Sequence, residues 1–561
     1  MEAESSSRRA VVEVPAISAA RYRLPWLILI VFVSNVCMMV LELVAGRIIA
    51  PYVGVSLYTW TSVIGVVLAG MSLGNYLGGR LADRWASARL LGMIFLAGGL
   101  FSVGILLSDP LGMRLPGDWS IILRILVMTA ALFLLPSLLL GMVSPVVAKL
   151  AVRDLAKTGS TVGRISAAGT VGSIVGTFAT GFVLISWFGT NKIVWGVAAV
   201  LLTLSAILLA ISLRNGKRRA VIGALAIVVI GGASALTASA GWLKSRCTLE
   251  TNYFCIKVQE TTRNGKPVRI LILDRLVHSY SSLDDPTQLV YGYEQIYAEA
   301  TAYAQRKVSG ETQRTIPLSA LFIGGGGYTF PRYMAAVYPN SKLDVIEIDP
   351  GVTTVAYDLL GLQHDGRITT ANEDARTFLE KQPTAHYDLI MGDAFNDYSV
   401  PYHLTTEEFN ARAKAWLTDG GLYMVNLIDG PRRDFLRAYI NTLSRTFAHI
   451  YVAPAVRGWR ESPRVTFVII ATDTPLDLPA FKTIDAGDGE TFFANQVLSP
   501  ADVAAILAEG RAVVLTDRYA PVDQMLAPVA RGEVARPDAP KSNAEPTPVP
   551  SNNSQPTAAP Q

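Results

Sequence analysis

Seven apolar stretches, at roughly 24–46, 57–79, 89–108, 120–145, 166–188, 192–213 and 220–241, succeed one another along the first 243 residues with only short polar breaks between them. Each is near the 20 residues or so that a helix needs to cross the hydrocarbon core of a bilayer, so the pattern predicts a multi-pass helical membrane domain of about seven spans over 24–243. The first run is too long, and too closely followed by others, to be a cleaved signal peptide. After residue 246 the pattern changes. Short β-type runs, Tyr253 to Val258 and Val268 to Leu273, flank Asn264-Gly265, a hairpin signal, and predict a small antiparallel β-subdomain over 246–300. From 301 to 530 apolar strand-like runs alternate with helical ones: Ala320 to Ile323, Phe330 to Tyr338, Leu343 to Ile348 and Val352 to Leu360, with further strands at Ile368 to Thr370, Leu389 to Met391, Gly421 to Leu427 and Val465 to Ala471. That alternation predicts a doubly wound, Rossmann-like parallel sheet. The Pro-, Ala-, Ser- and Asn-rich end, 535–561, buries too little to fold and is expected to be disordered.

Composition agrees with two different solvents. Of the 561 residues 51% are apolar and only 17% charged, with a mean hydropathy of +0.35, too oily for an ordinary soluble protein. Three cysteines and no glycine period exclude disulfide scaffolds and collagen-like chains. The net charge of +4 is small, and no basic patch interleaved with aromatics supports nucleic-acid binding. Where the basic residues lie matters more. Arg8, Arg9, Arg21 and Arg23 precede the first span; Arg80, Arg84 and Arg89, then Lys149, Arg153, Lys157 and Arg164, then Arg214, Lys217, Arg218 and Arg219 follow the second, fourth and sixth. The alternate loops have Arg47, Arg114, Arg124 and Lys192. The positive-inside bias therefore puts the N-terminal segment 1–23 in the cytoplasm, and seven spans send the following domain outward; one miscounted span reverses it. The expected location is the cell membrane. Cys247 and Cys255 either pair in such an outward domain or remain free thiols. A straight strand holds them about 26 Å apart, so pairing requires a turn near Glu250 to Asn252.

Within the spans, Gly65, Gly70, Gly74, Gly78 and Gly79, then Gly169, Gly172, Gly176 and Gly181, are read first as sites of close helix packing. Glu42 is costly in a bilayer unless paired or neutral; Arg47, just over a turn away, is a candidate partner, and a functional site is the alternative. The segment Gly78-Gly79-Arg80-Leu81-Ala82-Asp83-Arg84 resembles the loop motif of major facilitator transporters, and the Gly163 to Gly189 stretch their glycine-rich helices.

The chemistry is expected at strand ends. The strand Ala320 to Ile323 runs into Gly324-Gly325-Gly326-Gly327, and Glu347 ends the next strand 23 residues later. Glycines permit a tight turn with amides free to approach a ligand, and an acid at that distance suits a ribose diol. Asp374 follows the third strand, Asp393 ends the fourth and Asp397 lies in the loop beyond. His364, His386, His403 and His449 show no metal-ligand spacing, so no metal is expected.

Gly324 to Gly327, Glu347-Ile348-Asp349-Pro350, Glu373-Asp374-Ala375 and Asp393 to Asp397 together resemble the motifs of polyamine aminopropyltransferases, the spermidine synthase family. Glu250 to Val258 and Ile270 to Tyr280 resemble its N-terminal hairpins. The resemblance covers roughly 249–525, and the whole layout is similar to membrane-anchored spermidine synthase-like proteins. It implies a methyltransferase-type Rossmann-like sheet and decarboxylated S-adenosylmethionine as donor. Gly324, Gly325, Gly326, Glu347 and Asp374 would hold that donor, with Glu347 on the ribose and Asp374 near the adenine, while Asp393 serves the acceptor amine. His278, Tyr291, Tyr293, Glu294 and Asp397 are the implied substrate-binding positions. Three features depart from the family pattern: Gly327 stands where an Asp recognises the donor's ammonium, His278 stands where a glutamine is common, and Asp397 is one residue further from Asp393 than usual. The partners implied are a nucleoside donor, a polyamine acceptor and the lipid bilayer, with homodimeric assembly left open. Two other readings stand beside this one: a methyltransferase or other S-adenosylmethionine-using enzyme, and a non-catalytic polyamine-binding membrane sensor or transporter.

Overall fold

The computed structural model describes residues 23–531 apart from 117–118, 153, 214–244 (of which only 231, 232, 235 and 239 are described), 264, 310–316, 365, 395–399 and 485–491. The expected seventh span at 220–241, Asn264, Asp397 and the 535–561 tail lie outside the described residues.

Among the described residues six helices are long and apolar enough to cross a membrane: α1 Leu24–Val53, α2 Leu57–Trp85, α3 Ala88–Arg114, α4 Ile121–Ala151, α5 Leu155–Trp187 and α6 Thr190–Ser212. Each coincides with one of the first six apolar runs, and most run beyond it. In α1 to α4 the overrun lies at the C-terminal end, where the helix continues past its apolar stretch, while side-chain caps set the starts of α2, α3 and α4 within a residue of the runs. Ser56, Ser87 and Ser120 accept the amides of Thr59, Leu90 and Leu123, satisfying first-turn donors. Gly70, Gly74, Gly78, Gly169, Gly172 and Gly176 pack against other helices, whereas Gly65, Gly79 and Gly181, read the same way from the sequence, have nothing within 4 Å of where a Cβ would lie. A methyl on Gly74 would lie 2.1 Å from the Leu138 carbonyl oxygen of α4, and one on Gly172 would lie 2.4 Å from that of Phe32 in α1. Asp83 of the Gly78 to Arg84 motif pairs with Lys149 at 2.9 Å. Among the described residues no ion pair joins Glu42 to Arg47; Arg47 turns instead to the next domain, donating to the carbonyls of Thr251 and Asn252.

That domain opens with a four-stranded antiparallel sheet in the order β1 Leu249–Glu250, β2 Cys255–Arg263, β3 Lys266–Leu273 and β4 Leu276–Ser281. A tight turn lets Glu250 face Cys255 across the first pair, and Cys247 and Cys255 form a disulfide with their Cα atoms 5.3 Å apart. Helix α7, Gly292–Ser309, then runs across residue 300 into a seven-stranded sheet. Its strands are β5 Ser319–Ile323, β6 Lys342–Ile346, β7 Ile368–Ala371, β8 Tyr387–Gly392, β9 Leu417–Asp429, β10 His449–Pro454 and β11 Val465–Thr472, in the spatial order β10-β11-β9-β8-β5-β6-β7. The five strands from β7 to β9 are parallel. The expectation of a wholly parallel sheet needs correction: β11 runs antiparallel to both β9 and β10. A strand joined to its neighbour by a short connection reverses direction, whereas parallel pairing needs a long crossover. In β5, Ala320, Leu321, Phe322 and Ile323 are all buried, the continuous apolar run of a strand covered on both faces.

Candidate active site

Strand order reverses at β5, which has β6 on one side and β8 on the other. In open α/β sheets ligands bind at such a switch point, outside the carboxyl ends of the strands. Ile323 is in register with both Ile346 and Gly392, so Gly324, Glu347 and Asp393 emerge side by side. The turn that follows β5 demands glycine. Gly324 has a φ of +98°, and a methyl there would sit 2.5 Å from the Asp393 carbonyl oxygen. Beyond it, Tyr328 is fully buried and its hydroxyl lies 3.0 Å from that of Thr353, which anchors the start of helix α8, Thr329–Val337.

These ends frame an open cleft of about 750 Å3 counted out to its mouth. Its walls include Gly324, Gly326, Glu347, Asp374, Asp393 and His278. Glu347 is buried. One of its oxygens accepts the amides of Gly325 at 2.8 Å and Gly326 at 3.3 Å, and the other accepts that of Asp349 at 2.9 Å. Burial pushes its carboxyl above the ordinary glutamate range against the pull of those three amides. Asp374 caps the helix that follows β7, accepting the Thr377 amide at 3.0 Å, and its second oxygen lies 3.1 Å from Nε2 of His403. Burial works upward on this carboxyl too, but the Thr377 amide and His403 outweigh it and hold it below the usual aspartate range.

A second chamber continues from the first through His278, Gly324, Gly326 and Asp393, and adds Tyr293, Glu294, Tyr297 and Gly325. Asp393 accepts a 2.7 Å hydrogen bond from the Asn426 amide, and burial raises its pKa. Burial, augmented by the Asp393 charge, pushes Glu294 up to about 8. His278 is lowered to about 4 by burial and by Arg464, so its ring is neutral at pH 7. Tyr291 does not line either chamber. Its hydroxyl donates to the Val277 carbonyl, and its ring packs 5.4 Å from that of Tyr293. Among the described residues, three buried polar atoms around Asp393, the Tyr297 hydroxyl, Ser279 Oγ and Asn426 Oδ1, have no hydrogen-bond partner. Buried polar groups are nearly always satisfied, so these atoms suit a ligand that carries both donors and acceptors. Gly327 leaves no room for the acid found at its place in the family pattern: a methyl there would lie 1.9 Å from Ser279 Oγ. Tyr253, Phe254, Tyr297 and His403 also line the site. No spacing signal identified them; only Tyr297, one turn beyond Tyr293 on α7, was within reach of the helical period. Among the described residues no group of three or more His, Cys, Asp or Glu is arranged to hold a metal ion.

Five parallel strands, an antiparallel partner beyond them and acids at the carboxyl ends define a Rossmann-like α/β domain with its candidate site at the switch point. No family model matches the chain. Among curated proteins it is similar to the polyamine aminopropyltransferase of Vibrio vulnificus, 34% identical over 128 residues, which are 22% of this chain and 42% of that protein. It is also similar to the polyamine aminopropyltransferase of Corynebacterium efficiens, 28% identical over 298 residues, 48% of this chain and 52% of that protein. The chain therefore spans about half the length or less of these two relatives. A further similarity, 28% over 122 residues, is to the eEF1A lysine and N-terminal methyltransferase of Bos taurus, covering 20% of this chain and 18% of that one. A solved structure of a probable spermidine synthase from Corynebacterium glutamicum superposes with a TM-score of 0.41 at 21% identity, covering 48% of this chain and 95% of that one.

Proposed function

We propose that the α/β domain is an aminopropyltransferase-like enzyme that moves the aminopropyl group of decarboxylated S-adenosylmethionine to a diamine such as putrescine, giving spermidine. One observation carries the reading: Asp393 stands where the nucleoside cleft meets a buried chamber lined by Tyr293, Glu294 and Tyr297. A donor in the cleft and an amine in the chamber meet at that carboxylate. In this reading the glycine loop and Glu347 hold the ribose, Asp374 lies near the adenine, and Asp397 serves the acceptor with Glu294. An alkyl ammonium has a pKa near 10.4, so freeing its lone pair at pH 7 costs about 4 to 5 kcal/mol. Asp393 accepts that proton as general base. The amine nitrogen then forms a bond to the aminopropyl carbon beside the sulfonium while the carbon–sulfur bond breaks. Its electron pair passes to sulfur, leaving 5′-methylthioadenosine as a neutral thioether. The neutral ring of His278 adds no positive charge against the cationic acceptor. Equilibrium dialysis of the full chain in detergent tests the pocket: 5′-methylthioadenosine should bind wild type and bind Glu347→Ala at least tenfold more weakly, an effect of the order expected for a lost charged hydrogen bond. Equal binding by both would remove Glu347 from the site.

Gly327 supports a second reading. With no acid at that position to hold a donor ammonium, S-adenosylmethionine as a methyl donor is the alternative, and product analysis separates the two.

The helices belong to the same proposal. We read them as spans of the cell membrane with the N-terminus in the cytoplasm and the α/β domain outside. The domain engages α1 through Arg47 and the start of α6 through Thr190, whose amide donates to Glu250 at 2.8 Å. Those helix ends are the ones poor in Lys and Arg. A disulfide between Cys247 and Cys255 suits the oxidising side of a membrane. A reporter fused after residue 530 should be active on that side alone; activity on the cytoplasmic side overturns the orientation.

A further inference from the structure

Arg47 lies near the C-terminal end of α1, far from the cleft in sequence and on the other domain. Its guanidinium donates to two consecutive carbonyls, at 2.7 Å to that of Asn252 and also to that of Thr251. From this point a continuous line of hydrogen bonds leads into the nucleoside site. Thr251 Oγ1 donates to Asp349 Oδ2 at 2.5 Å. The Asp349 amide donates to one oxygen of Glu347, and the other oxygen of Glu347 holds the amides of Gly325 and Gly326. The line is reinforced by packing. A methyl on Gly351 would lie 2.3 Å from Cγ2 of Thr251, so the first turn of the helix after Asp349 rests directly on this loop. The loop is also pinned from two other directions. Glu250 accepts the amide of Thr190 on α6 as well as the hydroxyl of Ser245, and the Cys247–Cys255 disulfide closes its base. The next two residues, Tyr253 and Phe254, form part of the cleft wall.

Two carbonyls aimed at one guanidinium constitute a fork that lysine cannot reproduce in full. A loop held this way presents Thr251 to Asp349 in a single geometry, and a carboxylate used by three amides is sensitive to where its neighbour sits. We infer that Arg47 of the first apolar helix is a positioning residue for the nucleoside cleft, acting through the 251–254 loop and Asp349 on Glu347 and the glycine turn. The helical domain is then a structural component of the active site as well as an anchor. The inference rests on the reading of the cleft proposed above, but its physical content, a coupling between Arg47 and the glycine turn, is measurable without any ligand.

Hydrogen exchange followed by mass spectrometry on the full chain in detergent micelles tests it with Arg47→Ala, Arg47→Lys and Thr251→Val. In Arg47→Ala, peptides covering 320–328 and 345–352 should exchange about tenfold faster, the scale of one lost hydrogen bond to a charged group. Peptides of α2 and α4 should be unchanged, and Arg47→Lys should recover part of the protection. Thr251→Val breaks the line at its middle without touching any helix of the membrane domain and should accelerate the same two peptides. It decides the matter if Arg47→Ala loosens the helices as well. Acceleration confined to 249–256 in these variants overturns the coupling. A parallel titration with 5′-methylthioadenosine should show about tenfold weaker binding for Arg47→Ala. Wild type that fails to bind this probe defeats the reading of the cleft, while the exchange result still judges the coupling on its own.

Discussion

Glycine does opposite things in the two halves of this molecule. In α2, Gly70, Gly74 and Gly78 face α4 so closely that a methyl at any of them would meet a neighbouring atom at 2.7 Å or less. The missing side chain is replaced by the backbone of another helix. In the turn after β5 the pattern is mixed: Gly324 is forced by its φ of +98° and the Asp393 carbonyl, whereas at Gly326, φ +50°, a methyl would meet nothing within 4 Å. Here the missing side chain leaves amides pointing at a carboxylate and at open space. A run of glycines in a sequence announces close approach; whether the approaching partner is protein or ligand depends on what lies where the Cβ would be.

Breaking this contrast begins with the chemistry. Asp393→Asn keeps shape and the contact to Asn426 but removes the base, and kcat should fall on the order of 10²- to 10⁴-fold, with 5′-methylthioadenosine affinity changed little. A turnover assay beside a binding assay checks both. Next in size is Gly74→Val, which overpacks the interface between α2 and α4 and should cost about 1–3 kcal/mol. Gly79→Val, on the same helix with nothing within 4 Å of its added carbon, should stay within about 0.5 kcal/mol. Thermal denaturation in detergent compares the two. Gly326→Ala has space but the wrong backbone conformation, so it should cost about 1–2 kcal/mol and lower nucleoside affinity along with the melting temperature. The smallest effect concerns Glu294. Raised to about 8, its carboxyl is protonated at pH 7 and gains charge as pH climbs toward 9, so kcat/KM for a cationic diamine should rise across that window. The same sign makes its ionisation destabilising: the stability it contributes is full below about 4.5 and lost as pH rises through 8. Glu294→Gln should flatten the kcat/KM profile and narrow the stability gap at alkaline pH.

Much of the α/β domain was legible in the sequence because its signals are local. A strand that ends in four glycines, and acids that close successive apolar runs, report their own positions in a parallel sheet. The first six apolar helices were legible for the same reason. What was hidden depends on partners distant in sequence. Cys247 and Cys255 meet because the 251–254 turn folds Glu250 back onto Cys255. Arg47 was expected near Glu42 by helical spacing, yet it is drawn to two loop carbonyls in another domain. Tyr291 was expected in the substrate chamber, but its hydroxyl is committed to Val277 and only its ring supports Tyr293. β11 shows the same limit, since an apolar run states that a strand exists without stating its direction, and its partner β10, His449–Pro454, was not read from the sequence at all.

If the reading of the site holds, the cleft and chamber joined at Asp393 transfer an aminopropyl group to an amine. The most direct test incubates the purified full chain with putrescine and either decarboxylated S-adenosylmethionine, radiolabelled in the aminopropyl group, or S-adenosylmethionine, radiolabelled in the methyl group, and separates the products. Label should appear in spermidine, with an equal amount of 5′-methylthioadenosine, from the first donor. Label appearing only in methylated product from the second donor, or no transfer from either, would contradict the reading.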